Sequence, residues 1–344
     1  GEKEQVYEFD FFNYSGIHRP VKIYTTPYIY VKDILVKTDV IGTDGIIDYS
    51  VEVEGALKNI NVALFDQEGN KVAEADEATG KLVVKNAHLW EVRAAYLYNL
   101  DIKADEDHYT LPIGIRTVKM TDKQFLINGK PVYLKGFGKH EDSDIKGKGL
   151  DEALNVRDFE LLKWLGANSF RTSHYPYSEE IMQMADRQGF LVIDEVPAVG
   201  MNFWSDEAVF KEGSADESTL KHHKEVLTEL YERDKNHPCV VMWNVSNEAQ
   251  TKDENALAYF TEAVAHIRTL DDTRPIVNVI DQGDVNLDRV AHLFDAICLN
   301  RYYSWYYDLA NLKSIYPKLT AEFKAYHEKH NKPVMISEYG TDTI

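Results

Sequence analysis

Cysteine is nearly absent. The chain of 344 residues has two, Cys239 and Cys298, each inside an apolar run. Both are expected to be reduced core residues and not a disulfide pair, and so low a content is the expectation for a cytoplasmic protein. Basic residues are also scarce: 38 Lys and Arg stand against 57 Asp and Glu, a net charge of −19. Nucleic acids and anionic membranes need a basic footprint, so neither is expected as a partner. No apolar run approaches the roughly eighteen residues of a spanning helix, so no membrane segment is expected. No Cys/His spacing suggests zinc. No glycine-rich loop follows a first strand, which argues against a phosphate cradle.

What remains is an ordinary globular composition, 44% hydrophobic and 28% charged. Residues 28–120 alternate apolar and polar residues in short runs such as "YIYVKDILVKTDVI", "IIDYSVEVEGA" and "AYLYNLDIKAD". Turn signals at Gly42-Thr43-Asp44-Gly45 and Glu68-Gly69-Asn70 separate them. This rhythm predicts an immunoglobulin-like β-sandwich acting as a scaffold. From 121 to 344 the rhythm changes. Apolar strands at 132–138, 168–173, 190–196, 239–245, 275–280, 296–302 and 333–339 alternate with helical patterns. Buried strands joined by crossover helices predict a parallel sheet. Seven such units point to a TIM barrel lacking its eighth strand in this chain, with a doubly wound open sheet as the alternative. His222-His223 falls in a charged helical pattern and reads as a solvated face.

In a barrel, chemistry gathers at the C-terminal ends of the strands. Two stretches drive an apolar run straight into an acid: "VVMWNVSNEAQ" at Glu248 and "PVMISEYGTDT" at Glu338. The other strand ends deliver His140, Arg171, His174, Asp194-Glu195 and the cluster "NRYYSWYY". No Ser-His-Asp order is present. A single acid at a strand end is ordinarily a surface residue or helix cap, and one Asn-Glu dipeptide arises by chance. Two acids facing one another across an aromatic cleft are instead the machinery that breaks glycosidic bonds. Tyr302 beside one of them could hold it ionised by donating a hydrogen bond. Asp194-Glu195 is the rival acidic pair, with Arg171 and His174 placed to neutralise it.

The stretches "DFFNYSGIHRPVKIYTTP", "FLINGKPVYLKGFGKHEDSDIKGKG", "RTSHYPYSEE", "RDKNHPCVVMWNVSNEA", "CLNRYYSWYYD" and "ISEYGTDT" resemble the β-glucuronidases of glycoside hydrolase family 2, in order and along the whole chain. The resemblance implies three parts: the C-terminal end of a jelly-roll sugar-binding domain at 1–27, the sandwich at 28–120 and the barrel at 121–344. It implies removal of β-linked glucuronic acid with retention, with Glu248 as acid/base and Glu338 as nucleophile. Asn247 matches the amide that holds the sugar 2-hydroxyl, and Tyr302 the tyrosine beside the nucleophile. Asp10, His140, Asn300 and Tyr306 match sugar-contacting positions. Glucuronide small molecules or oligosaccharides are the implied partners, no metal or organic cofactor is implied, and a homo-oligomer is expected.

The chain departs from the family at Asn247-Glu248-Ala249, where Asn-Glu-Pro is usual. The family's eighth strand and its later Asn-x-Lys motif are absent. The expectation is therefore one part of a longer polypeptide whose remainder completes the barrel. A β-galacturonidase or β-galactosidase of the same family, and a carbohydrate-binding protein without catalysis, are the alternatives.

Overall fold

The computed structural model describes residues 12, 14 and 16–341. Asp10 and much of the expected jelly-roll tail lie outside the described residues, and 16–27 carry no strand.

The sandwich begins with a hairpin of β1 (Tyr30–Ile41) and β2 (Asp44–Glu54). Gly42 turns it at φ +65°, a conformation that side chains resist. These strands pair with β5 (Thr79–Val84) in one antiparallel sheet. The second sheet runs β4 (Lys71–Ala75), β3 (Ile60–Phe65), β6 (Tyr98–Ala104), β7 (Asp107–Ile113). Alternation puts Ile47, Tyr49, Val62, Leu64, Leu100 and Ile102 between the sheets, fully or almost fully buried. Each such side chain contributes about 1.5–3 kcal/mol. A small sheet of β8 (Val118–Met120), β9 (Phe125–Ile127) and β10 (Lys130–Pro131) follows, and its Phe125 and Ile127 join the barrel core.

The barrel sheet has seven parallel strands in chain order: β11 (Gly136–Lys139), β12 (Ser169–Thr172), β13 (Leu191–Glu195), β14 (Val240–Asn247), β15 (Ile276–Ile280), β16 (Ile297–Asn300) and β17 (Val334–Glu338). Helices α1 (Glu152–Trp164), α2 (Glu179–Gln188), α3 (Glu217–Asp234), α4 (Ala256–Leu270) and α5 (Ile315–His330) lie between strands. Asp151 caps α1 by accepting from the Leu154 N–H, and Asp216 caps α3 by accepting from Ser218 and Thr219. Every residue of β12 to β16 is buried, because helices cover one face and the barrel interior the other. The outer strands β11 and β17 are only partly covered.

The unreversed strand order excludes the doubly wound alternative. The sheet curls until its outer strands converge: a Cβ on Gly138 of β11 would lie 3.6 Å from Cγ of Glu338 on β17. The sandwich is fastened to the barrel floor. Trp90 Nε1 donates to the carbonyl of Asp186 at 2.8 Å, and Arg116 to those of Pro238 at 2.6 Å and Val240 at 2.7 Å.

Both cysteines are buried free thiols, as expected. The reading of His223 is corrected. Its ring is buried, with Nε2 on the Val245 carbonyl at 2.8 Å and Nδ1 by the Tyr259 hydroxyl at 3.2 Å. It shares a helix face with Leu227 and Leu230, and only His222 faces solvent. Among the described residues, no helix is long and apolar enough to cross a membrane.

Candidate active site

Strand β14 delivers the first acid. Its run VVMWNVSN is buried throughout and slips register against β15 between Asn244 and Asn247. Glu248 then takes a left-handed backbone, φ +51°, with its N–H on the Val279 carbonyl at 3.0 Å. A non-glycine residue rests there only when its surroundings hold it. Strand β17 delivers Glu338, and the Arg301 N–H fixes its carbonyl at 2.9 Å. Both acids line one cavity of about 1880 Å³ that runs from the strand ends, where His140, Asn247, Asn300, Tyr302 and Tyr306 also line it, down along β11 and β17 to Phe125 and Pro333.

The two carboxyls have unlike surroundings. Glu338 accepts from the Tyr302 hydroxyl at 2.6 Å and from the Arg171 guanidinium. The Tyr302 phenol is pushed up by burial and by the Glu338 charge, so it remains the donor. Glu248 is half-enclosed and touches one amide, Asn300 Nδ2, at 2.7 Å. Burial first, then the charge of Glu338, push its carboxyl up to about 7. At neutral pH one carboxyl is thus poised to give a proton, while the other is held by two donors.

Asn247 has its amide oxygen taken by Asn300 Nδ2 at 3.3 Å and Arg171 Nη1 at 3.4 Å, so its NH₂ is the group left to donate. Ser337 Oγ fixes Asn300 by donating to its oxygen at 2.8 Å. The His140 ring lies edge-on to His174 at 5.6 Å, with Nδ1 3.3 Å from the Tyr175 hydroxyl. Burial and then His174 hold it at about 4, a neutral imidazole. Tyr306 stands at the mouth, half exposed, with its ring 5.1 Å from that of Tyr302. Six of the seven described candidates are therefore within one hydrogen-bonded or stacked set around the two acids, and His140 lies against its edge.

The rival pair is split by strand alternation. Glu195 points into the barrel, where Arg171, His174 Nδ1 at 2.7 Å and Asn244 Nδ2 at 2.5 Å hold it. Asp194 points outward to Thr172 at 3.1 Å and the end of α3, where burial and Asp234 push its carboxyl well up. They do not face a common substrate. Arg171 has a wider part than expected, because it bridges Glu195 and Glu338 across the barrel with only 3% of its side chain exposed. Asn202 and Asp281 also line the cleft; Asp281 follows β15 in a run that reads as a turn, and the sequence reading passed over both.

One group among the described residues has metal-ligand chemistry, Asp186 with His237 and Cys239 on the barrel floor. Burial opposes a charge on His237, but Asp186 and then Asp234 raise it to about 9. The contact at 2.5 Å to Asp186 is then an ion pair.

The parallel barrel and its facing strand-end acids define a class. Residues 118–344 match the profile described as "Glycosyl hydrolases family 2, TIM barrel domain", and residues 22–116 that of "Glycosyl hydrolases family 2". The chain belongs to glycosyl hydrolase family 2. Within it, the chain is 48% identical to a β-glucuronidase of Paenibacillus borealis, over 100% of this chain and 59% of that protein. It is 46% identical to the human β-glucuronidase over 98% of this chain and 52% of that one. A solved β-glucuronidase from an uncultured Clostridium species is 56% identical with a TM-score of 0.95, covering 98% of this chain and 58% of that chain. The enzyme from Dictyoglomus thermophilum gives 53% and 0.95, over 98% and 59%. The chain thus spans little more than half the length of these relatives.

Proposed function

We propose that the protein is a retaining β-glucuronidase that removes terminal β-D-glucuronic acid from small glucuronides or oligosaccharide ends. The observation that carries this is the pair of inequivalent carboxyls, supported by relatives that bear that name. Glu338 attacks the anomeric carbon while Glu248 gives its proton to the leaving oxygen. The glycosidic bond breaks and an ester to Glu338 forms. That ester cancels the Glu338 charge, the second cause of the raised Glu248 value. Glu248, already a carboxylate after giving up its proton, then stays ionised and is free to take a proton from water. The water oxygen attacks the same carbon, and Glu338 leaves as carboxylate. Asn247 donates to the 2-hydroxyl, and His140, Asn300, Tyr306 and Asp10 contact the sugar. The double displacement uses no cofactor. Of the remaining partner and location readings, a homo-oligomer in the cytoplasm fits the resemblance and the low cysteine content.

The test is hydrolysis of paired 4-nitrophenyl β-D-glucuronide, galacturonide and galactoside by the full-length protein, with Glu338→Gln and Glu248→Ala. Glucuronide preference, loss of turnover in Glu338→Gln and selective slowing of poor leaving groups in Glu248→Ala are expected. Preference for a galacturonide or galactoside moves the protein to another specificity of the family. Turnover unchanged by Glu338→Gln removes the nucleophile.

A further inference from the structure

Beside the proton donor lie two residues that the reaction as drawn does not use. Asn202 sits in the loop after β13, 9% exposed, and Asp281 directly follows β15. The Asn202 amide nitrogen donates twice, to the backbone carbonyl of Glu248 at 3.0 Å and to Oδ2 of Asp281 at 3.2 Å. The peptide it grips follows the left-handed residue, φ +51°. The next residue is Ala249, which imposes no ring constraint of its own. Glu248 is thus held at its N–H by Val279 and at its carbonyl by Asn202.

We propose that Asn202 and Asp281 are positioning residues for the proton donor. Asn202 fixes the peptide that aims Glu248, and Asp281 sets a negative charge behind it that keeps the proton on the carboxyl until a leaving oxygen takes it. The idea rests on the two-carboxylate reading above but concerns only the leaving-group side. The charged and polar groups facing Glu248 are Glu338 from β17, Arg171 from β12, Asp281 from β15 and the neutral Asn300 from β16. Those facing Asp281 are Arg301, Asp288 and Asn202. Asp281, raised to about 6 chiefly by burial, is ionised through the upper part of the range in which Glu248, at about 7, loses its proton. A charge there disfavours the ionised donor. Removing it lets Glu248 deprotonate at lower pH, so the alkaline limb of the rate profile must move towards acid.

The test uses the full-length protein and whichever aryl glycoside of the glucuronide, galacturonide and galactoside series it cleaves, because protonation of the leaving oxygen does not depend on the glycone. Asp281→Asn is expected to shift the alkaline limb of kcat/KM down by about half a pH unit to one. Asn202→Ala is expected to slow unactivated phenyl glycosides about tenfold more than dinitrophenyl ones, which need no proton. Asn202→Ser, which keeps a donor, should recover part of the loss. A merely structural role would slow all leaving groups alike and leave the limb in place, and either result overturns the proposal. If no aryl glycoside is cleaved, the glycosidase reading falls. The positioning claim is then decided by carbon NMR titration of the Glu248 carboxyl, assigned with Glu248→Gln. A lower value in Asp281→Asn sustains the claim, and an unchanged one ends it.

Discussion

Replacing Glu248 by Gln should stabilise the protein increasingly as pH rises above 4.5, and in full above neutral pH. The side chain keeps its shape, and its oxygen can still accept from Asn300 at the 2.7 Å contact. What changes is the charge. A free Glu carboxyl titrates near 4.5 and the folded one at about 7, raised by burial and then by Glu338. The folded state therefore binds the proton more tightly. As pH rises through that window the unfolded chain releases its proton first, and stability falls. The window from 4.5 to about 7 spans 2.5 pH units at ~1.4 kcal/mol each, a penalty of about 3 kcal/mol that is complete above pH 7 and absent below 4.5. Gln never ionises and escapes it. Urea titrations at about pH 4 and about pH 8 flank the sequence pI near 5.1, so the chain is charged in both. The variant should match the parent at the lower pH and exceed it by about 3 kcal/mol at the higher, or roughly 4 °C in Tm. An equal displacement at both pH values, or a less stable variant at pH 8, would refute the assignment of the penalty to this carboxyl. The expected result would make Glu248 an acid kept in place at the expense of stability, a familiar trade at active sites.

Three further outcomes can be measured. Arg171→Gln strands two carboxylates, Glu195 and Glu338, in a barrel where the guanidinium is 3% exposed. A loss of about 3–5 kcal/mol in urea titration is expected, with Glu195→Gln added to it restoring part, and additive losses would contradict the bridge. Tyr302→Phe removes the 2.6 Å hydrogen bond to Glu338. Charge-assisted bonds of this kind contribute about 1.5–3 kcal/mol, so kcat/KM should drop about tenfold to a hundredfold, and an unaltered value would deny the contact any role. His237, raised to about 9 in the folded state from 6.5, adds stability that is fully present below pH 6.5 and lost as pH climbs through 9. Calorimetry of His237→Gln should lack that alkaline decline, and an identical slope in both proteins would show that the ion pair with Asp186 does not carry it.

The two acids were legible because each breaks a rule. A strand buried on both faces has no local reason to end in a carboxylate, so Glu248 and Glu338 stood out from the other acids. Their partners Asn300 and Tyr302 followed from the cluster ending β16. The strand and helix order was equally open to reading, since period-two and helical spacings switch near residue 121. What escaped was set by three-dimensional closure. Arg171 reaches Glu338, 167 positions away, because the sheet curls, and no local pattern encodes that curl. The split of Asp194 from Glu195 was available from alternation, had the strand been followed to its last residue. The burial of His223 was likewise written in its spacing to Leu227 and Leu230. Asp281 sits in "IDQGD", where turn chemistry masks a residue whose side chain meets Asn202 from another loop.

The junction beneath the barrel has a consequence for how the molecule comes apart. Trp90 and Arg116 belong to the sandwich and its exit, and what they hold are main-chain carbonyls of the floor, at Asp186, Pro238 and Val240. A side-chain partner could swing away, whereas a carbonyl moves only with its strand. Val240 opens the strand that ends at Asn247, one residue before Glu248. Melting the sandwich would strip those donors from the root of that strand and leave the Val240 carbonyl with Arg274 Nε alone, at 2.8 Å. Heat should therefore dismantle scaffold and candidate site in one cooperative event, and a barrel severed from its sandwich should misplace Glu248 from below.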